Sequence, residues 1–246
     1  MNTTTTTGRL TLHRAADRGH ADHGWLDAWH SFSFASWYDP AKVHFGTLRV
    51  LNDDTIAGGM GFGMHPHDNM EIITIPLEGA LQHKDSMGNT AVIKTGDVQV
   101  MSAGTGVRHS EFNPDHAHPT KLLQIWLFPH TRNVTPRYDQ ITLDPAERQD
   151  RFQQIVSPDA NDAGTWIHQH AWLHLGRFGA ERSERYSVKR EGNGVYAFVI
   201  RGSATINGQE LNTRDALGVE GTDTLAITTG ADGADILLLD VPMHVH

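Results

Sequence analysis

Residues 77–98 read LEGALQHKDSMGNTAVIKTGDV, and residues 200–216 read IRGSATINGQELNTRDA. Each stretch opens with an apolar residue, a charged residue and a glycine: Leu77-Glu78-Gly79 and Ile200-Arg201-Gly202. A glycine-bearing turn follows, Met87-Gly88-Asn89 in one and Asn207-Gly208 in the other, and these residue types favour tight hairpins. Each closes on the same pattern, Thr95-Gly96-Asp97-Val98 and Thr213-Arg214-Asp215-Ala216. Gly79 to Asp97 spans 18 residues and Gly202 to Asp215 spans 13, so the first copy carries the longer hairpin. An internal repeat is a statement about architecture. Here it predicts two similar β-barrels in tandem.

The rest of the chain agrees. Short β-type runs recur between turn signals, the spacing of an all-β sandwich or barrel. The runs are Phe45 to Leu51, Glu71 to Leu77, Ala80 to Asp85, Ala91 to Lys94, Val98 to Ser102 and Lys121 to Phe128. In the second half they are Thr165 to Leu175, Val195 to Ile200, Ala204 to Ile206, Leu225 to Thr229 and Asp235 to Asp240. A short helix is expected from Asp144 to Asp150, with Asp144 as its cap, Pro145 in the first turn and Glu147 completing a capping box. The polar stretch from Pro129 to Arg151 separates the copies. The expected division is a first domain over 1–135, a linker over 136–151 and a second domain over 152–246.

Composition narrows the function. The 246 residues carry 20 basic and 29 acidic side chains, a net charge of −9, which disfavours sequence-independent binding to nucleic acid or to anionic membranes. There is no cysteine, so disulfides, thiolate metal sites and cysteine nucleophiles are excluded. No apolar run has the length of a membrane span, and Met1 to Thr7 lacks the pattern of a signal peptide. A cytoplasmic protein is expected.

Histidine is the anomaly, with 17 residues. His-X-His occurs at 65/67, 116/118, 168/170 and 244/246. Residues 59–71 read GMGFGMHPHDNME, and residues 102–111 read SAGTGVRHSE. Side chains at i and i+2 of a strand share a face. His65 and His67 can therefore converge on one ion, and His109 and Glu111 can close the site from a second strand. Glu71 has strand parity with His67 as well, so spacing leaves both glutamates open. Imidazoles with one carboxylate suit Fe, Ni, Cu, Zn, Mn or Co.

These blocks are similar to the paired motifs of the cupin superfamily. Gly61-Phe62-Gly63-Met64-His65-Pro66-His67, Leu77-Glu78-Gly79 and Ser102 to Glu111 resemble the pirin family, as do Trp29 to Phe34, Leu48 to Asp54, Gln124-Ile125-Trp126 and Thr135 to Tyr138. Within that family the bacterial pirin-like quercetin 2,3-dioxygenases are the nearest in pattern. The resemblance is strong over roughly residues 25 to 140 and looser beyond. It implies a bicupin with one divalent metal, Fe(II) first, in the N-terminal barrel on His65, His67, His109 and Glu111. It also implies dioxygenation of a flavonol with release of carbon monoxide, Glu111 being the candidate base. The alternatives are a redox-responsive regulator acting through a protein partner, and a cupin isomerase or a metal site without turnover.

Through the repeat, His65, His67 and His109 correspond to Val188, Arg190 and Ile227, so the second barrel is expected to lack metal. His168, His170 and His174 read as one exposed or interdomain strand face around Trp172. His116/His118 reads as a solvated loop and His244/His246 as a surface tail. His30 and His44 read as structural residues near a pocket mouth, and Phe34, Phe62 and Trp126 as core ahead of pocket lining. The basic residues from Arg177 to Arg201 alternate with Glu181, Glu184 and Glu191, which reads as an ordinary charged face.

Overall fold

Leucine, isoleucine and valine are so continuous in strands such as Glu71–Glu78 that both faces must be covered. The computed structural model, which describes residues 8–245, shows how. A seven-stranded antiparallel sheet runs in the order 137–142, 97–102, 71–78, 120–127, 48–56, 26–30, 19–22. Its inner face packs against a four-stranded sheet in the order 61–67, 107–112, 80–85, 90–94. Together they form the first barrel. The second is built on a nine-stranded sheet dominated by the long strands Asn193–Ile206 and Thr224–Pro242. The bicupin architecture is therefore as expected.

The outer face of the first barrel's large sheet is as apolar as its inner face. Leu51, Ile73, Ile75, Val98, Val100, Leu123 and Ile125 form one buried cluster with Ile155, Leu173, Leu175, Tyr196, Phe198, Leu237 and Leu239. The two barrels thus share a core. Inside the second barrel, Val195, Ala197, Val199, Ile206, Leu217, Val219, Leu225, Ile227, Ile236 and Leu238 make a separate apolar filling.

The repeat is reproduced in three dimensions. Gly79 and Gly202 both have positive φ, 77° and 80°, conformations that glycine adopts without strain. The Thr95 hydroxyl donates to the Gly79 carbonyl at 3.1 Å, and the Thr213 hydroxyl donates to that of Gly202 at 3.0 Å. Asp97 accepts from the Lys94 amide at 2.8 Å, and Asp215 accepts from the Asn212 amide at 3.0 Å.

Several segments differ from the sequence reading. Strand Arg9–His13 leaves the first domain and pairs with Ala216–Glu220 of the second sheet, covering what would be an open edge. The stretch read as a linker begins with strand Arg137–Thr142, which pairs with Asp97–Ser102. The expected helix is a single 3-10 turn, Pro145–Arg148. Asp144 caps it through the Ala146 amide at 2.9 Å, but Glu147 pairs with Arg151 at 2.9 Å and forms no capping box. Thr165 to Leu175 is not one strand. It breaks into Thr165–Trp166 and Trp172–Phe178. No helix among the described residues is long and apolar enough to cross a membrane.

Candidate metal centre

Two neighbouring strands of the small sheet carry the donors. Gly61–His67 and Val107–Phe112 run antiparallel with His109 opposite His65 and Glu111 opposite Phe62, the register shifting between them. Gly104, with φ 49°, lets the chain turn hard against the Val134 carbonyl just before the second strand. An added Cβ there would collide with that oxygen. The rings of His65, His67 and His109 face one another, with centroids 4.4 to 4.9 Å apart. Each offers a ring nitrogen within 4.8 Å of the others.

Glu111 joins this group through His109. It forms a second, overlapping cluster with His109 and His83, again within 4.8 Å. Glu111 is 3% exposed, and burial pushes its carboxyl up to about 7, against two 3.3 Å hydrogen bonds donated by the Gln124 amide.

The donor set fits a divalent ion. His65 donates from Nδ1 to the Gly63 carbonyl at 2.8 Å, which fixes the tautomer and leaves Nε2 as a bare lone pair. His109 is 1% exposed, yet neither of its ring nitrogens has a hydrogen-bond partner among the described residues. An imidazole left unpaired at that depth costs free energy unless a ligand satisfies it. Burial, reinforced by the adjoining imidazoles, holds His67 near 4 and His109 near 2. Both are neutral at physiological pH, the form that binds metals.

The cavity over these donors has a volume of about 190 Å³. Phe34, Phe62 and Trp126 wall it, with Leu26, Ala28, His30, Asn52 and Asp54. Trp126 meets the His67 ring edge-on at 4.9 Å and the Phe34 ring at 5.4 Å. The Asp54 carboxyl is pushed well up by burial, with further contributions from Asp53 and Glu111.

Comparisons with known proteins give the family. The sequence pattern of the Pirin family matches residues 11–127, and that of the quercetinase C-terminal cupin domain matches residues 154–241. A quercetin 2,3-dioxygenase of Escherichia coli K12 is 43% identical over 231 residues, 94% of this chain and 98% of its own length. The chain belongs to the pirin family. The crystal structure of YhhW from Escherichia coli superposes with a TM-score of 0.91 at 41% identity, covering 97% of this pirin and all of that chain. A crystal structure of the bacterial pirin YhhW in complex with nickel(II) gives 0.90 at 40% identity over 96% of this chain and 100% of the other. A pirin fold with a site for one divalent metal follows.

Glu71 is not at this pirin's metal pocket. Strand Gly61–His67 ends before it, and Asn69 turns the chain with φ 45° before strand Glu71–Glu78 begins. Parity does not pass through such a turn. Glu71 lies on the opposite face of the sheet, in line with Ile73 and Ile75 of the shared core, and accepts a 2.7 Å hydrogen bond from Ser102.

Phe34, Phe62 and Trp126 line the pocket, although they read as core in the sequence. His30 lines it too, bonded to Asn52 at 2.9 Å, whereas His44 bonds the Gly46 carbonyl. His168 and His170 sit in the break between two strands, and only His174 is on a strand, buried against Tyr186. They share no face. His116 and His118 occupy an exposed loop; His246 lies outside the described residues.

The residues that sequence reasoning missed are Asp54, Gln124 and above all His83. His83 is fully buried, directly opposite Glu111 across a strand pair. Its Nε2 donates to Asp85 at 3.1 Å, and its Nδ1 is without a partner among the described residues. Asp85 is held in turn by Asn89 and the Met87 amide. The only signal in the sequence was the i, i+2 spacing of His83 and Asp85.

Proposed function

We propose that this pirin is a metal-dependent dioxygenase that opens the central ring of a flavonol such as quercetin. One flavonol and one dioxygen give one depside ester and one carbon monoxide. The observation that supports this most is the three-histidine cluster with Glu111 at the base of a narrow, aromatic-walled cavity. The name borne by the 43% identical E. coli relative points the same way.

His65, His67, His109 and Glu111 would hold the ion, Fe(II) on the family resemblance, with nickel the ion in the YhhW complex. Bound there, it supplies Lewis acidity toward a substrate oxygen and a centre able to exchange electrons with dioxygen. Glu111 takes the proton of the flavonol 3-hydroxyl at a carboxylate oxygen. Gln124 donates to both of its oxygens and fixes its plane. Phe34, Phe62 and Trp126 present flat apolar faces that orient the substrate rings and exclude water.

The test is reconstitution of the apoprotein with single metals, followed by aerobic quercetin turnover. Bleaching that depends on metal, and is lost in Glu111→Gln, supports the assignment. Metal-loaded protein that leaves quercetin unchanged would exclude it.

A further inference from the structure

A second and larger cavity lies between the barrels, a cleft of about 550 Å³. It is lined by the two copies of the internal repeat. Leu77-Glu78 and Thr95-Gly96-Asp97 face it from the first barrel, and Ile200-Arg201 and Thr213-Arg214 from the second. The copies are not chemically equivalent. Where the first has Glu78 and Gly96, the second has Arg201 and Arg214. Arg177 and Arg148 complete four guanidiniums around one opening, in a chain whose net charge is −9.

Their counter-charges do not balance. Arg214 is bound to Asp53 at 2.8 and 3.3 Å, and Asp53 also takes Arg18 at 3.2 Å. Asp97 is spent on the Lys94 amide, Gln140 and Thr142, and Glu78 on Lys121. That leaves Asp235 for the other three arginines. Arg177 reaches it at 3.0 and 3.3 Å and Arg201 at 3.2 Å. Arg148 has no ion pair or side-chain hydrogen bond among the described residues. Burial and the charge of Arg177 both press on its guanidinium. Each guanidinium has five N–H donors, so most donors of this trio have no protein partner among the described residues, and those of Arg177 and Arg201, 47% and 70% exposed, open to solvent. The lining is mixed, and its apolar part includes Leu77 and Ile200 at matching repeat positions and Leu143 beside the 3-10 turn.

We infer that the cleft between the barrels is a binding site for a small organic carboxylate with an apolar body. Its carboxylates pair with Arg148, Arg177 and Arg201, and its body lies between Leu77 and Ile200. Arginine forks match carboxylates in geometry as well as charge, and pockets of this size between domains are usual places for small ligands. The inference does not depend on the dioxygenase reading, because none of these residues touches the metal cavity. It also departs from the sequence reading of Arg177 to Arg201 as a plain charged face, which could not show that Arg148 joins them from another segment.

Calorimetric titration of the metal-loaded full chain with phthalate tests this, with uncharged dimethyl phthalate as the comparison ligand. One saturable site for phthalate is expected, absent for the ester. Arg148→Gln and Arg201→Gln should each weaken it about tenfold, with metal content unchanged. Arg185→Gln, an exposed arginine outside the cleft, should leave it unaltered. The inference is overturned by the absence of phthalate binding. It is equally overturned by binding indifferent to Arg148→Gln and Arg201→Gln, as chelation at the metal would be, or weakened equally by Arg185→Gln.

Discussion

The two barrels are built from the same turn and hairpin, yet their interiors are opposites. Counting along the sequence matches His65, His67 and His109 to Val188, Arg190 and Ile227, but the strand pairing shifts the match. Leu225 faces Tyr186 as His109 faces His65, Ile227 stands where Glu111 does, and Arg190 is exposed beyond the strand. In the first barrel the three histidines open onto a cavity shared with Glu111, Gln124 and Trp126. In the second, Ile227 is 2% exposed inside a cluster of valine, leucine and alanine. Both three-donor clusters among the described residues lie in the first barrel. One copy holds the histidine-lined pocket, and the other offers its sheet to the core the two share. A cupin scaffold therefore does not specify a metal site; the inward-facing residues of two strands do.

The largest expected effect is on the donors. His109→Ala, which removes the imidazole common to both clusters, should bring metal content close to zero by elemental analysis while circular dichroism still shows the sheet. Full occupancy in that variant would mean the ion sits elsewhere.

The reciprocal change in the second barrel should damage folding and not metal binding. Ile227→His puts a polar ring into a closed apolar core, at a cost of roughly 2–5 kcal/mol. Denaturant unfolding should show that loss with no gain of metal. A stable variant that bound a second ion would erase the contrast between the barrels.

Glu71 sharpens the comparison from the shared core. Burial raises its carboxyl to about 7, above its ordinary value, so the unfolded chain ionises first as pH rises. Its contribution to stability therefore falls between about pH 4.5 and 7 and stays low above that. The cost is on the order of 3 kcal/mol. Glu71→Gln should flatten the fall in stability across this window and leave metal content unchanged. Loss of metal would restore Glu71 to the pocket.

His83 should give the smallest effect. His83→Gln removes a ring beside His109 and Glu111 that Asp85 holds in place. Metal affinity should weaken about 10- to 100-fold, the usual consequence of losing a group that supports a ligand. Unchanged affinity in a metal titration would make His83 a packing residue only.

The sequence showed the fold because its repeat is local. Gly79 and Gly202, with the Thr and Asp that follow, form the same hydrogen bonds in both barrels. It showed which residues to consider at the metal site because i, i+2 pairs need only one strand each. What it concealed depends on relations between segments. The turn at Asn69 resets the facing of Glu71, which parity counting carries through unaltered. Pairing of His83 with Glu111 is a matter of register between separate strands. His168 and His170 read as continuous with His174 because the break over 167–171 carries no glycine or proline to mark it. Phe34 and Trp126 line a cavity only because two sheets meet there.

The most direct measurement is carbon monoxide released per flavonol consumed, on protein of known metal content, for the wild-type chain and Glu111→Gln. The account predicts one metal ion per wild-type chain, one carbon monoxide per quercetin lost, and none from Glu111→Gln. A fully metallated wild-type chain that consumes quercetin without releasing carbon monoxide, or does not consume it, would contradict it.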